Sequence, residues 1–359
     1  MAKIELNGLA HSYMPHVQDP ADFALKELNH VWEDGGAYAL LGPSGCGKTT
    51  LLNIISGLLI PTHGEILFDG NAVTTKATED RNIAQVFQFP VVYDTMSVYD
   101  NLAFPLRNRG VGASEVDARV LEIAELLELG DSLKNKASGL TADAKQKISL
   151  GRGLVRADVS AILFDEPLTV IDPHLKWQLR SQLKHLHKRF NYTMVYVTHD
   201  QTEALTFADK VVVMYDGAVV QMGTPEELFE RPKHTFVGYF IGSPGMNVVP
   251  CHIDGDKAMV AGHAFSMAQG FSKIPEGASL EVGIRPEFLS LSRGGDGPAV
   301  SIQKVEDLGR FRVASVRLED HEFKVMVGED QEVPADGARL IVDPTHVNLY
   351  ANSHLVEEA

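Results

Sequence analysis

Two cysteines in 359 residues exclude a disulfide framework. One of them, Cys46, lies inside a glycine-rich loop, so a reducing compartment suits the chain. No apolar run approaches the ~20 residues that a bilayer-spanning helix needs. The opening stretch Met1-Ala-Lys-Ile-Glu-Leu6 contains no apolar signal core. The expectation from both absences is a cytoplasmic protein, free or resting on a membrane protein. A basic excess is missing as well. Lys and Arg total 32 against 48 Asp and Glu, a formal net charge of −16. Nucleic acid is therefore not the expected partner, because its binders normally present a basic face. What remains is ordinary for a folded chain, with 44% hydrophobic and 22% charged residues. The length suits two domains better than one.

The sharpest signal present is one loop. Gly42, Pro43, Ser44, Gly45, Cys46, Gly47, Lys48, Thr49 and Thr50 fit G-x-x-x-x-G-K-[ST]. The apolar run at residues 37–41 enters it as a buried strand, and a helical pattern at residues 49–56 leaves it. That is the context a phosphate-binding loop requires. Glycines let successive N–H groups turn inward toward phosphate oxygens, and the helix N-terminus adds a favourable dipole. Lys48 can reach the β- and γ-phosphates, and the Thr49 hydroxyl can ligate Mg²⁺. Alone, the loop says nucleotide phosphate and does not choose between pump, kinase and switch.

The rest of the chain supplies candidates at strand ends. Residues 3–9 and 23–32 read as strands. Tyr13, between them, is a candidate platform for adenine, although an isolated tyrosine is more often plain packing and gains weight only with the motifs below. Residues 82–87 form an apolar strand ending at Gln88, which either caps the backbone or touches Mg²⁺ and an attacking water. Ser97 opens a helix, and residues 113–129 carry helical spacing, so the stretch near residues 90–140 is a helical insertion. A helix capped by Thr141 follows. Four apolar residues at 161–164 then deliver Asp165 and Glu166 at the end of a buried strand. Asp165 suits Mg²⁺, through water, and Glu166 could polarise the attacking water. Asp172 and Pro173 open a long amphipathic helix, on which His185 and His187 point to different faces and make a poor metal pair. Residues 193–198 form another strand. It ends at His199 and is expected parallel to the Asp165 strand, which brings His199 to the same phosphates. After Ser243-Pro244-Gly245 the pattern changes to short alternating strands with turns at Asp254-Gly255, residues 294–297, Glu319-Asp320 and Asp336-Gly337. That second region reads as a small all-β domain, an open OB-like barrel or a sandwich, and it carries no catalytic constellation.

The loop at residues 42–50 with Gln88, Asp165-Glu166, Asp172 and His199 stands in the order and spacing of an ABC-type ATPase. The sequence most resembles the import ATPases of bacterial sugar, polyol and glycerol-phosphate transporters. Phe240-Ile-Gly-Ser-Pro-Gly-Met-Asn247 is similar to that subfamily's domain junction. Gly283-Ile-Arg-Pro-Glu287 and Val305-Glu-Asp-Leu-Gly309 are similar to its regulatory β-domain. The resemblance covers nearly the whole chain. It implies an α/β P-loop domain at residues 1–243, with a helical subdomain at about 90–158, and a β regulatory domain at 244–359. It implies ATP and Mg²⁺ as cofactors, with ATPase subunits paired head to tail. Their partners are two transmembrane permease subunits and a solute-binding protein, and the complex sits at the cytoplasmic face of the bacterial inner membrane. By the same resemblance Tyr13 stacks adenine, Lys48 and Thr49 hold phosphates and Mg²⁺, and Asp165 supports the metal. Glu166 orients the water and His199 senses the γ-phosphate. Gln88 couples the site to the permease, and Asp172 reaches across the dimer.

One segment departs from the family. Leu140-Thr-Ala-Asp-Ala144 stands where the signature Leu-Ser-Gly-Gly-Gln belongs. In a dimer this segment faces the ATP held by the partner, where hydroxyl and N–H groups bind the γ-phosphate. Thr141 keeps a hydroxyl. Ala142 and Asp143 add Cβ atoms, Asp143 adds a charge at the helix's own anion slot, and Ala144 replaces the glutamine. At ~5 Å and an effective dielectric near ~20, the repulsion is about 3 kcal/mol per unit charge, unless Asp143 turns away as a helix cap. The expectation is a heterodimer with a second, different ATPase subunit whose signature is intact, since some glycerol-type importers have two; a homodimer is the other possibility. The alternative function is an ATP-binding regulatory subunit with little or no turnover. A P-loop kinase would have no use for Gln88, Asp172 and His199 together.

Overall fold

Runs of apolar residues with no polar face become the central strands of the first unit. In chain order it carries β1 (Ile4–His11), β2 (Leu25–Trp32), β3 (Ala37–Leu41), α1 (Lys48–Ser56), β4 (His63–Phe68), β5 (Asn71–Ala72) and β6 (Ile83–Val86). Helices α2 (Val98–Arg107), α3 (Ala113–Leu126) and α4 (Ala142–Leu154) follow. Then come β7 (Ala161–Asp165), α5 (Pro173–Phe190), β8 (Met194–Thr198), α6 (Gln201–Phe207), β9 (Lys210–Tyr215) and β10 (Ala218–Gly223). The computed structural model describes residues 1–268, 270 and 274–357. Two compact units divide between Pro225 and Glu226.

Every residue of β3 and β8 is buried, as a strand covered on both faces requires. They lie inside a six-stranded sheet of order β10-β9-β3-β8-β7-β6. Strands β6, β7, β8 and β3 are mutually parallel, β9 is parallel to β3, and β10 returns antiparallel. The register sets Leu41 beside Thr198, Asp165 beside Val197 and Phe164 beside Val86. Five strands therefore finish along one edge, and an open parallel sheet takes its ligands at that edge. A second, antiparallel sheet has the order β2-β1-β4-β5. Helix α1 shares one core with both sheets, drawing in Leu51, Leu52 and Ile55 with Leu6, Ile66, Leu40 and Val195.

Helix α1 is closed at its far end by Gly57, in the left-handed region at φ 84°. Arg81, almost fully buried, donates from Nη1 to the Ile54 and Ile55 carbonyls at 2.7 and 2.9 Å and from Nη2 to Thr74 at 2.8 Å. A cation at the C-terminal carbonyls suits the helix dipole. Among the described residues no strand lies between β6 and β7, and helices α2 and α4 start on the hydroxyl caps Ser97 and Thr141.

The second unit opens on α7 (Pro225–Glu230) and α8 (Thr235–Phe240), ahead of the composition change at Ser243. All its paired strands are antiparallel. Asn247–Pro250, Leu280–Ile284, Asn348–Ala351 and His354–Leu355 form one sheet. His252–Asp254, Lys257–Val260 and His263–Ser266 form a second. Leu289–Arg293 pairs with Ala338–Val342, and Ser301–Asp307, Phe311–Leu318 and His321–Gly328 make a meander. Val249, Val282, Val316, Phe323 and Leu340 belong to one apolar core. The parts of the expected β-domain at residues 269, 271–273, 358 and 359 lie outside the described residues.

Arg285 fastens the two helices to this unit. It is 3% exposed, and its guanidinium lies 3.9 Å over the Phe229 ring. Its nitrogens donate to the carbonyls of Phe229 at 2.5 Å, Ile241 at 2.6 Å and Leu228 at 3.3 Å, at the C-terminal ends of α7 and α8. Burial pushes the guanidinium down to about 10, still a cation at neutral pH. Removing the donors leaves buried carbonyls unpaired, at about 3 kcal/mol in total. Calorimetry of Arg285→Met should show the transition of this unit lowered by about 10 °C. An unchanged midpoint would mean that α7 and α8 are held by something else.

Candidate active site

The loop between β3 and α1 is shaped by its glycines. A Cβ at Gly42 would meet the Met214 carbonyl oxygen at 2.3 Å, and one at Gly47 the Ala24 oxygen at 2.7 Å. Gly45, at φ +82°, has nothing within 4 Å of the position a Cβ would take. Its backbone therefore borders open space that a ligand can approach closely. Helix α1 starts at Lys48 with no side-chain cap, which leaves its first N–H groups for an anion. Lys48 is only 5% exposed, and its Nζ donates to the Gly42 and Pro43 carbonyls at 2.8 Å each. Its ammonium thus lies against the loop's own backbone.

The strand ends complete the cluster. Thr49, in the first turn of α1, donates from Oγ1 to Asp165 Oδ1 at 3.4 Å, at the end of β7. Burial pushes the Asp165 carboxyl above the ordinary aspartate range, and the adjacent Glu166 charge adds to this. The Thr49 hydroxyl and the Lys48 ammonium pull the other way. Glu166 has φ +46°, a left-handed conformation that a non-glycine residue adopts at a cost. Its Oε2 lies 3.1 Å from His199 Nδ1 and accepts from Thr169 Oγ1 at 3.3 Å. His199 directly follows β8, so the parallel β7–β8 pairing sets the Glu166–His199 contact. Tyr13 is 63% exposed, and its hydroxyl is 3.1 Å from Thr50 Oγ1, with the His11 ring edge-on to it at 4.6 Å. A flat aromatic face thereby stands open beside the first turn of α1.

Other candidates are positioned by different contacts. Gln88 is two residues beyond the end of β6. Asp172 caps α5, with Oδ1 accepting from His174 N at 2.9 Å. Thr141 caps α4 and accepts from Ala144 N at 3.3 Å, so Thr141, not Asp143, is the cap. Asp143 sits in the first turn with no ion pair among the described residues. His187 is a fastener, its Nδ1 2.9 Å from the Tyr192 carbonyl and its Nε2 3.2 Å from Asp209.

Two buried polar residues escaped the sequence reading. Gln146 of α4 donates to the Phe87 and Pro167 carbonyls. Glu203 of α6 accepts from the Tyr196 and Thr198 hydroxyls at 3.1 and 2.9 Å and pairs with Lys176 at 3.5 Å. The available signal was position: each is a polar residue on the apolar side of a helix.

The donor set fits a nucleoside triphosphate with a divalent cation. A hydroxyl and a carboxylate are hard oxygen ligands of the kind Mg²⁺ takes. Positive charge there would relieve the raised Asp165 carboxyl. The family model for ABC transporters matches residues 25–169, which take in the glycine loop, Gln88, Thr141–Ala144 and Asp165-Glu166. The sn-glycerol-3-phosphate import ATP-binding protein UgpC of Salmonella typhi is 40% identical over 344 residues, covering 95% of this chain and 94% of its own length. The protein of that name from Bordetella avium is 38% identical over 352 residues, covering 94% and 95%. Among solved structures, cbiO1 from Clostridium perfringens, part of the ABC transporter complex cbiONQ, is similar with a TM-score of 0.57. It is 26% identical and covers 64% of this chain and 90% of that one.

Lys48→Ala should lower the affinity for ATP about 30-fold, the equivalent of about 2 kcal/mol for a lost charge-assisted contact. Titration of the variant with a fluorescent ATP analogue measures it. Equal affinity would remove Lys48 from the phosphate site.

Proposed function

The chain belongs to the ABC transporter family and is an ATP-binding ATPase subunit, and from that premise we propose that it powers import of glycerol 3-phosphate or a related small polyol. The observation that carries the hydrolytic reading is the 3.1 Å contact between Glu166 and His199 beside the glycine loop. In this reading residues 1–243 form the nucleotide domain, with a helical subdomain near 90–158, and residues 244–359 form a regulatory β-domain. Tyr13 stacks on adenine. The loop N–H groups of residues 42–47, with Lys48, Thr49 and Thr50, hold the phosphates. Thr49, Asp165 and Gln88 hold Mg²⁺, which when bound neutralises phosphate charge. Glu166 takes the role of general base toward a water. His199 keeps the Glu166 carboxylate in place and senses the γ-phosphate, and Asp172 reaches toward the partner subunit.

Two features support a membrane permease as partner. Phe87, Phe89, Val91 and Tyr93, on either side of Gln88, are 39, 68, 51 and 41% exposed, a cluster of apolar surface of the kind that marks an interface. A cavity of about 290 Å³ adjoins them, lined by Phe87, Val91, Pro105 and Arg152. A permease helix seated there would touch the loop that carries Gln88. No helix among the described residues is long and apolar enough to cross a membrane, so the chain would sit peripherally on the cytoplasmic face, against two permease subunits. The solute would reach the permeases through a solute-binding protein and never meet this chain. The relatives UgpC of Salmonella typhi and of Yersinia pestis are sn-glycerol-3-phosphate import ATP-binding proteins by name.

The altered first turn of α4 supports asymmetry. The Thr141 hydroxyl caps the helix by accepting from Ala144 N, and the Asp143 carboxylate adds negative charge to the same first turn, the end that a partner's γ-phosphate would approach in this reading. We therefore propose pairing with a second, different ATPase subunit whose own signature completes the site on this chain. A regulatory subunit without turnover is the second reading, motivated by Asp143 and opposed by the assembled Glu166–His199 pair. In the assembled transporter Glu166→Gln should lower ATP turnover by about 10²-fold or more, the range of a lost general base. A silent subunit would show no loss. Native mass spectrometry of the complex, isolated through a tag on this chain, should find one copy of it beside one different ATPase. Two copies would overturn the asymmetric reading.

A further inference from the structure

Gln146 lies near the start of α4 and is fully buried. Its Nε2 donates to the Phe87 carbonyl at 3.1 Å and to the Pro167 carbonyl at 2.8 Å. Two carbonyl acceptors fix which end of the amide is nitrogen. Phe87 precedes Gln88, and Pro167 follows Glu166. A single amide nitrogen thus ties the loop after β6 to the loop after β7, from a third element. The other end of the amide, Oε1, is buried with no protein partner. Buried amides normally have partners at both ends, so the packing here is arranged around the two donated bonds. Five residues up the same helix stands Thr141, on the turn assigned to the partner's nucleotide. A helix this short moves as a rod, so a shift of that turn is passed to Gln146, only ~7.5 Å along the axis.

We propose that Gln146 is a positioning residue for hydrolysis. It sets the spacing of the loops that carry Gln88 and Glu166, and it ties that spacing to the placement of the first turn of α4. The inference rests on the reading of Glu166 as general base. It requires no contact between Gln146 and nucleotide. Displacement of a catalytic group by ~1 Å can cost ~10²-fold in rate while leaving binding intact. Gln146 should therefore act on turnover and not on ATP affinity.

The test is steady-state ATPase activity of the assembled transporter. Gln146→Met keeps the length and removes both donors. Gln146→Glu keeps the shape and presents an oxygen to the two carbonyls. Each should lower kcat about tenfold with KM for ATP within twofold of the original. If Gln146→Met does not assemble, Gln146→Asn keeps the donor but is one methylene too short to span both carbonyls, and it should show a smaller loss confined to kcat. A folded variant with unchanged kcat would overturn the proposal, as would kcat and ATP affinity falling together. Glu166→Gln is measured alongside. Loss there and none at Gln146 refutes the positioning role alone, and no loss at either refutes the reading of the site itself.

Discussion

The parallel register among β3, β8 and β7 is the constraint on which the site depends. Leu41 lies beside Thr198, and Val197 beside Asp165, so the glycine loop, His199 and the two carboxylates leave the sheet at one level. Side chains in a strand alternate between faces, and a slip of one residue would exchange them. Asp165, the last strand residue, would then turn away from Thr49. Glu166 escapes simple alternation because its backbone turns left-handed, which carries its carboxylate to His199. The buried apolar runs of β3, β7 and β8 resist such a slip, because it would set their side chains against the wrong layer.

Electrostatics explains why the cluster needs support from outside itself. Two adjacent carboxylates, one of them raised by burial, repel unless positive charge is near. The N-terminal end of α1 and Lys48 provide it on one side. Arg81 acts at the opposite end of the same helix, where its guanidinium meets the Ile54 and Ile55 carbonyls. A Cβ at Gly57 would stand 2.6 Å from Arg81 Nε, so the left-handed glycine and the arginine fit as one cap. The helix that presents its N-terminus to anions is thereby held at its C-terminus by a buried cation. Arg285 repeats the device in the second unit, where one guanidinium closes two short helices.

What could be read from the sequence was whatever depends on local order. The glycine loop was legible because its spacing is itself the binding geometry. Asp165, Glu166 and His199 were legible because each ends or directly follows an apolar run, and a parallel arrangement of those strands brings them together. The strand pairing of the second unit was less legible. Short hairpins announce themselves by turns such as Asp254-Gly255 and Glu319-Asp320, but the order of strands in a sheet depends on distant partners. The partners of Arg81, Arg285, Gln146 and Glu203 were not legible, even where helix position marked a polar residue on the apolar side. Each of these residues is a buried polar group whose partners are mostly backbone carbonyls or hydroxyls, near in sequence for Glu203 and distant for Gln146 and Arg285, and no spacing rule encodes such partners.

The same separation between local and distant determinants bears on the altered first turn of α4. Every group of the Glu166–His199 cluster is delivered by the sheet edge or by α1, and none comes from Thr141, Ala142, Asp143 or Ala144. A chain can therefore change that turn without touching its own cluster. Under the proposed pairing, the effect of an Asp143 carboxylate would be felt at the partner's nucleotide, through repulsion of like charges at a helix N-terminus. The exception is mechanical. Gln146 sits on the altered helix and holds two loops of the unaltered site. Under the proposed pairing, the two ends of α4's first turns would answer to different nucleotides, one by charge and one by position. In a pair of unlike subunits, weak engagement of one end need not weaken the other, provided the helix is still seated by its partner. That makes the placement of α4, more than the chemistry of its tip, the quantity through which two unequal sites would stay in step.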